Sequence, residues 1–437
     1  PAVAMAGGAA GAPTADAGAA RAGAARAGAR GAGKTLGQGE KQPKAPPRGR
    51  PAQPQNLLFE QCYKGRVVPE EEWAEFMEVL SRDLPVTFRF ASAHPLGAAL
   101  ADFMAREFLR EGALEALADA QPQECLSYED VAGPAREPLR SMVPGALSKG
   151  GTAGLAQPLT RLPWASWAWK LDIPKTVLRK AAGPKRLHGF LKRCTQLGVI
   201  SRQEVVSMVP AVLLQGGRGL RILDLCASPG MKSLQLLDAA GGPGAARPGG
   251  PAAPAQERDA VTAAAARLLQ AGAVVCNDLD GRRCCMLAHH VSKARSPAGL
   301  VIHHDANTLP SLGELFDRVL CDVPCSGDGT IRKAPHLLAG WRPNRATALH
   351  PLQLQIACSG VAQLKDGGRM VYSTCAMSPV ENEAVVAALL QRAGGAVELV
   401  DCSDELPSLP RRPGLEHWDV PAGARKCRSA EFLRCPD

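Results

Sequence analysis

Two short segments carry cysteines in settings that could support covalent chemistry. In Asp322-Val-Pro-Cys-Ser-Gly-Asp-Gly329, Cys325 follows a proline and precedes a glycine-rich turn; Tyr372-Ser-Thr-Cys375 places a second thiol 50 residues later. A thiolate that adds to carbon 6 of cytosine makes carbon 5 nucleophilic enough to attack an activated methyl group. Asp322 is placed to stabilise the charge that develops on the ring. The residues alone leave open which cysteine attacks.

Two other roles suit these cysteines less well. Cys321 and Cys325 have half of a zinc-site spacing, but no second pair has a matching spacing, so no metal is predicted. The fourteen cysteines are spread over 437 residues, which favours buried free thiols in a reducing compartment over a disulfide framework. The proline and the glycines around Cys325 favour an exposed, reactive thiol.

A glycine-containing turn follows the first strand-like segment of the second half of the chain. It has one glycine after a proline instead of G-x-G-x-x-G, which argues against a dinucleotide. The turn consists of Cys226, Ala227, Ser228, Pro229, Gly230, Met231 and Lys232.

Acidic residues stand at the ends of the first three predicted strands, where an adenosine ligand without phosphates would bind. Asp224 ends the first, Asp278 can accept the ribose hydroxyls after the second, and Asp305 can bind an adenine amino group after the third. The sulfonium of S-adenosylmethionine also suits an acidic pocket, so this cofactor is predicted. Each acid taken alone is better explained as a turn or N-cap residue.

The elements that position these residues have the pattern of a parallel α/β sheet. Ligands of such sheets bind beyond the carboxyl ends of the strands, where all the residues above are found. The sequence therefore predicts a Rossmann-like α/β domain over residues 206–400, with a Gly/Pro/Ala-rich insertion at 241–260. The strand-like segments are Arg221–Leu225, Ala273–Asn277, Gly299–His303, Arg318–Cys321 and Gly368–Ser373.

The first 160 residues divide in two. Residues 1–55 are almost entirely Ala, Gly, Arg and Pro, which predicts a disordered tail. Residues 56–160 are expected to form a small α+β module that ends in a Gly/Pro-rich loop. Helical spacing over 69–80 and 96–117 predicts two helices, and the alternation in 85–90 predicts a half-buried strand.

Residues 161–205 are strongly basic and contain Trp164, Trp167 and Trp169. We interpret them as a helical segment that contacts RNA, because cationic and aromatic side chains together suit a nucleic-acid strand. The alternative is a solvated helix with the tryptophans packed beneath it. Residues 401–437 are too short and proline-rich for a full domain.

The composition agrees with a polyanionic partner. The formal net charge is +9 and the isoelectric point is about 9.0, which favours phosphates. No apolar run is long enough to span a bilayer, so no membrane partner is expected.

These motifs resemble those of the Sun-domain RNA cytosine-5 methyltransferases, and are most similar to the eukaryotic branch of multisite-specific tRNA (cytosine-5) methyltransferases. The resemblance extends from about residue 56 to 420, apart from the Gly/Pro-rich insertions. It rests on the two cysteine motifs, and on Pro379–Glu383, Ile200–Met208, Leu57–Phe59, Pro69–Trp73 and Leu84–Phe88.

The resemblance implies a class I S-adenosylmethionine-dependent methyltransferase fold acting on tRNA. It makes Cys375 the nucleophile and assigns product release to Cys325, with Asp322 and Lys232 also in the catalytic set. It implies cofactor contacts from Cys226 to Lys232, Asp278, Asp305 and Asp322. The chain is expected to be a nuclear monomer. Ser228 and Met231 depart from the small residues usual in the turn, and the C-terminal RNA-binding part is expected to be truncated.

Overall fold

The computed structural model describes residues 2–7, 56–108, 159–173, 178–179, 182–241, 272–294, 296–310, 315–422 and 431–434. The helices and strands in chain order are β1 (Ala2–Gly7), α1 (Leu57–Tyr63), α2 (Trp73–Ser81), β2 (Val86–Phe90), α3 (Gly97–Phe108), β3 (Leu159–Leu162), β4 (Ala165–Leu171), α4 (Ala182–Gln196), β5 (Ile200–Arg202), α5 (Val205–Leu213), β6 (Arg221–Asp224), α6 (Met231–Gly241), β7 (Ala273–Asp278), α7 (Gly281–Lys293), β8 (Gly299–His303), β9 (Phe316–Asp322), α8 (His336–Ala339), α9 (Asn344–Val361), β10 (Leu364–Ser373), α10 (Glu383–Ala393), β11 (Val397–Val400), β12 (Asp419–Ala422) and β13 (Glu431–Arg434).

The larger sheet has the order β11-β1-β10-β9-β6-β7-β8, and its five strands from β10 to β8 are parallel. The apolar runs of β6 and β9 are fully buried, as in Leu223 and Val319, because helices cover both faces of a parallel sheet. The five predicted strands and the Rossmann-like α/β class are confirmed. The strand order reverses between β6 and β9, so the loops that follow these two strands meet.

Strand β1 lies between β10 and β11 and is antiparallel to both. The sequence predicts a disordered tail over residues 1–55, so the structure differs from that expectation at residues 2–7. Residues 8–55 lie outside the described part of the chain.

A second, four-stranded antiparallel sheet has the order β3-β4-β2-β5. Helices α3 and α4 cover it, with Phe103 and Phe190 in contact at 5.6 Å between ring centroids. Residues 161–205 do not form a separate helical segment, because β4 and β5 complete the sheet to which β2 belongs and α4 packs on that sheet. Their contact with RNA stays a prediction. Trp169 is buried in this core, as in the packing alternative, whereas Trp167 is 37% exposed.

Strand β2 is buried on both faces, not half-buried as its alternating pattern predicts. Its polar side chains bond to the residue that follows β5 and to α6 of the larger domain. The Thr87 hydroxyl donates to the carbonyl of Gln203 at 2.6 Å. The Arg89 guanidinium donates to the Gln203 side chain at 3.0 Å and pairs with Asp238 of α6.

Helices α1 and α2 belong with the larger domain, which corrects the predicted module boundary at residue 56. Their apolar side chains pack against the segment that follows β9, in a cluster of Phe59, Tyr63, Leu80, Ile331, Leu338 and Trp341. The helix predicted over 69–80 is a 3₁₀ turn followed by α2. Helix α3 is described as far as Phe108, and residues 109–117 of the second predicted helix lie outside the described residues. No helix in the described ranges is long and apolar enough to cross a membrane.

Candidate active site

The loops that follow the parallel strands are joined at the carboxyl edge of the sheet by Asn277, the buried penultimate residue of β7. Its side-chain amide donates to the carbonyls of Leu225 and His304, both at 3.0 Å, and its oxygen accepts from the His304 amide. One side chain thus fixes the relative positions of three strand ends. The prediction treated this residue only as the end of a strand.

Cys325 and Cys375 lie next to each other, with their sulfur atoms 3.0 Å apart. Cys325 follows β9 and Cys375 follows β10, and these two strands pair in parallel. The Cys375 amide also faces the Cys325 sulfur at 3.3 Å. Cys375 is the more exposed of the two thiols. The sequence prediction that these residues converge therefore holds in the structure.

The two thiols differ in acidity. The hydrogen bond from Cys325 lowers the pKa of Cys375 below its ordinary value, and the nearby Lys232 ammonium acts in the same direction. That hydrogen bond, followed by burial, raises the pKa of Cys325. Cys375 is therefore the more acidic of the two thiols.

Lys232 and Asp322 form an ion pair beside the cysteines. The Lys232 ammonium lies 2.6 Å from Oδ2 of Asp322, whose Oδ1 accepts from the Ser373 hydroxyl at 2.8 Å. Lys232 enters the site because it lies in the first turn of α6, directly after the glycine turn. Both predicted residues are partly open to solvent, so they can reach a bound base.

Glu381 and Asn382 hold the cysteine loops and were missed as functional residues. The carboxylate of Glu381 is fully buried and accepts from the Ser326 amide at 2.8 Å and hydroxyl at 2.5 Å. The Asn382 oxygen accepts from the Thr374 hydroxyl at 2.6 Å. Their place in the Pro379–Glu383 motif was the only signal that the sequence offered.

The predicted cofactor turn lies between β6 and α6. Gly230 has φ of +104°, a conformation that L side chains rarely adopt, and a Cβ there would lie 2.8 Å from Leu287. The Ser228–Pro229 peptide bond is cis. Ala227 donates its amide to Asn277, while Cys226 and Met231 are half-buried at the two ends of the turn.

The predicted adenosine-binding acids differ in their surroundings. Asp278 is buried, accepts from the Ser228 amide at 3.1 Å and pairs with Arg283 at 3.1 Å. Asp305 is half-buried and accepts from the amide of Asn307 at 2.9 Å, as a turn-forming residue does. Both follow adjacent strands, so they border the same edge of the sheet.

These residues fit a phosphate-free cofactor such as S-adenosylmethionine. Gly230 allows the turn to pack closely against Leu287, and Asp278 brings a carboxylate to the same turn. Oδ1 of Asp224 is buried without a hydrogen-bond partner among the described residues, while Oδ2 accepts from Ser233 at 2.7 Å. Across those same ranges, no group of three or more His, Cys, Asp or Glu side chains is arranged to hold a metal ion.

The parallel sheet, its glycine turn and the acids at its carboxyl edge define a class I, Rossmann-like methyltransferase fold. The profile of the family described as 16S rRNA methyltransferase RsmB/F matches residues 252–406. Together with relatives that are 33–37% identical over most of the chain, this match assigns the chain to the RsmB/F, or Sun-domain, family. The predicted family is confirmed.

Three curated relatives have names that specify tRNA. The chain is 37% identical to the multisite-specific tRNA:(cytosine-C(5))-methyltransferase trm4b of Schizosaccharomyces pombe, over 84% of this chain and 50% of the relative. It is 33% identical to the multisite-specific tRNA:(cytosine-C(5))-methyltransferase of Saccharomyces cerevisiae, over 84% of this chain and 47% of the relative. It is also 33% identical to the Drosophila melanogaster tRNA (cytosine(34)-C(5))-methyltransferase, over 87% of this chain and 47% of the relative. The chain spans about half the length of the curated relatives it matches.

Among solved structures, a methyltransferase homologue from Pyrococcus horikoshii is 20% identical, with a TM-score of 0.48, over 77% of this chain and 78% of that one.

Proposed function

We propose that this chain methylates carbon 5 of cytosine in tRNA, with S-adenosylmethionine as the methyl donor and Cys375 as the nucleophile. The observation that carries the proposal is the 3.0 Å contact between Cys375 and Cys325, which lowers the pKa of Cys375 and raises that of Cys325. Covalent addition to a pyrimidine requires a thiolate as nucleophile, and the neighbouring thiol is placed to assist its release.

The reaction begins when the Cys375 thiolate adds to carbon 6 of the base, which makes carbon 5 the nucleophile for the methyl group. Solvent water then takes the proton from carbon 5, the electron pair of that C–H bond restores the ring double bond, and the bond between sulfur and carbon 6 breaks with its electrons returning to sulfur. Cys325 assists this release from its position beside the departing sulfur. Cys375 returns to its thiolate form.

Asp322 and Lys232 act on the base and on the nucleophile. Asp322 contacts the ring nitrogen and the exocyclic amine and stabilises the charge that develops on the ring. The Lys232 ammonium, 2.6 Å from Asp322, fixes that carboxylate and favours the Cys375 thiolate. Because both side chains are only partly buried, the base can approach them from solvent.

The cofactor would be held by the turn from Cys226 to Lys232 and by the acids Asp278, Asp305 and Asp322. S-adenosylmethionine supplies an electrophilic methyl group. The carboxylate of Asp278, which accepts from the Ser228 amide in this turn, supports this assignment.

The choice of tRNA rests on the names of the relatives at 33–37% identity. Ribosomal RNA is the second candidate, because the chain is 27–28% identical to ribosomal RNA small subunit methyltransferases F. We further propose that the chain acts as a monomer in the nucleus, which rests on the family resemblance and the basic N-terminal sequence alone.

Methyl transfer from labelled S-adenosylmethionine to unmodified tRNA tests the proposal. Cys375→Ala should abolish both transfer and covalent protein–RNA adducts on denaturing gels, because it removes the nucleophile. Cys325→Ala should accumulate the adduct, because release is impaired. Cys285→Ala is the matched control, since this exposed thiol lies on α7 outside the site.

Labelling of ribosomal RNA but not tRNA would show that the substrate is wrong and the chemistry right. Wild-type transfer by Cys375→Ala would refute the assigned nucleophile. A chain that labels no RNA at all would refute the proposed activity.

A further inference from the structure

Asp328, six residues beyond Asp322, is a buried carboxylate that connects three separate segments of the chain. It is only 2% exposed, and no cation pairs with it in the described part of the chain. Its Oδ2 accepts from the hydroxyl of Tyr63 and from the indole N–H of Trp341 at 2.9 Å. Its Oδ1 accepts from the amide of Met377 at 2.7 Å. Three donors thus replace the water that a buried carboxylate loses.

One of these donors belongs to the backbone that carries the proposed nucleophile. Met377 is two residues after Cys375, and the Cys375 carbonyl accepts from the amide of Gly329 at 2.9 Å. A Cβ at residue 329 would lie 2.6 Å from that carbonyl oxygen, so only glycine permits the approach. Two adjacent hydrogen bonds therefore join the Cys325 loop to the Cys375 loop.

The third segment is α1, which precedes the strands of the parallel sheet in the chain and packs on the larger domain. Asn56 caps α1 by accepting from Phe59, and its amide donates to the carbonyls of Leu338 at 2.8 Å and Trp341 at 3.1 Å. The ring of Tyr63 lies 5.5 Å from that of Trp341. Helix α1 is thereby fixed with the Tyr63 hydroxyl directed at Asp328. Burial, and then the Asp328 charge, raise the pKa of Tyr63, which keeps that hydroxyl a donor.

We infer that Tyr63 and Asp328 are positioning residues that hold Cys375 against Cys325, so that α1 completes the active site. The inference rests on the proposed function only in naming the reaction that this geometry serves. The Tyr63 hydroxyl orients the Asp328 carboxylate, Asp328 fixes the Met377 amide, and the Cys375 sulfur is held beside the Cys325 sulfur. Neither Tyr63 nor Asp328 takes part in the chemical steps themselves.

The first test needs neither RNA nor cofactor. The rate at which iodoacetamide alkylates Cys375 is measured against pH, with the peptide that contains Cys375 quantified by mass spectrometry. Tyr63→Phe keeps the ring and removes only the hydroxyl. We expect its alkylation profile to move to higher pH and its rate at pH 7 to fall by about 3-fold or more, because the thiolate loses the aligned Cys325 donor.

The second test measures methyl transfer. Tyr63→Phe should lower kcat by about 10-fold with an unchanged KM for RNA, because a misplaced nucleophile affects the reacting geometry and not RNA binding. Asp328→Asn should have the same effect, since its NH2 group would face the donors of Tyr63 and Trp341. The double variant should be no worse than Asp328→Asn alone, because both act through one contact.

Trp73→Phe is the matched control, because Trp73 packs 6.0 Å from Phe59 in the same aromatic cluster and is not bonded to Asp328. It should leave the alkylation profile and kcat unchanged. The inference is overturned if Tyr63→Phe alkylates and turns over like wild type, or if Trp73→Phe shifts both readouts equally. If wild type methylates no RNA while Tyr63→Phe still shifts the alkylation profile, the proposed function fails and the positioning role stands.

Discussion

Asp224 and Asp322 end neighbouring parallel strands, yet their carboxylates have very different surroundings. Asp322 is paired with Lys232 and accepts from Ser373. Asp224 is completely buried, and Ser233 is its one hydrogen-bond donor among the described side chains. Burial raises the pKa of Asp224 to about 7. The folded protein therefore binds a proton at Asp224 that the unfolded chain has already released near neutral pH.

The pH dependence of stability should reveal this proton. Because the folded-state pKa is raised, the contribution of Asp224 is complete below the unfolded pKa near 4 and is lost as pH rises to about 7. Asp224→Asn should remove up to about 1.4 kcal/mol per pH unit of this decline. Urea denaturation of wild type and variant between pH 5 and 8 measures the two slopes, and equal slopes would contradict the raised pKa.

The cysteine pair could be predicted from local sequence, whereas the residues that hold it could not. Cys325 and Cys375 follow two strand-like segments, and the rule that parallel strands end at one edge brings them together. Asp328 and Glu381 are acids in loops, and nothing local shows that their partners are Tyr63, 265 residues away, and Ser326, 55 residues away. Burial of these carboxylates is a product of tertiary packing.

At the scale of elements, the turn between β6 and α6 should tolerate no side chain at residue 230. Gly230→Ala would force alanine to φ of +104° and its Cβ against Leu287, at a cost of about 1–3 kcal/mol in unfolding free energy. It should also weaken S-adenosylmethionine binding by calorimetry. Gly367→Ala is the control, because Gly367 has φ of +68° with open space around it. Both variants should lose stability, Gly230→Ala the more because of the Leu287 contact, and only Gly230→Ala should weaken cofactor binding. Equal cofactor affinity in both variants would contradict the cofactor role.

The strands of the parallel sheet were predictable because their apolar runs are long enough to be buried whatever their neighbours are. Strand β2 was not, because Thr87 and Arg89 look like a solvent-facing row until Gln203 and Asp238 cover them. The basic composition of residues 161–205 likewise concealed β4, whose Trp169 fills the core while Trp167 faces outward. Alternation reports which residues share a face, but not what packs against that face.

At the scale of the whole molecule, the N-terminal part contacts the methyltransferase domain at two separate places. Helix α1 packs beside the cysteine loops, and β2 packs on α6 through Arg89. Arg89 is almost fully buried, with only 2% of its side chain exposed, and Asp238 has 13%. Burial raises the pKa of Asp238 and Arg89 opposes that shift, so each charge depends on the other.

This ion pair should couple the two sheets. Arg89→Met leaves Asp238 without its cation in a buried site and should lower the unfolding free energy by about 3–5 kcal/mol. Arg89→Met with Asp238→Leu should recover most of that loss, because no unpaired charge remains. Lys365→Met, which breaks the more exposed pair with Asp317, is the control and should cost less than about 1 kcal/mol. Denaturation followed by Trp fluorescence and circular dichroism measures each variant.

If Arg89→Met unfolds like the control, the pair does not couple the sheets. A loss of unfolding free energy that the double variant fails to recover would assign the effect to the packing of the Arg89 stem instead of its charge.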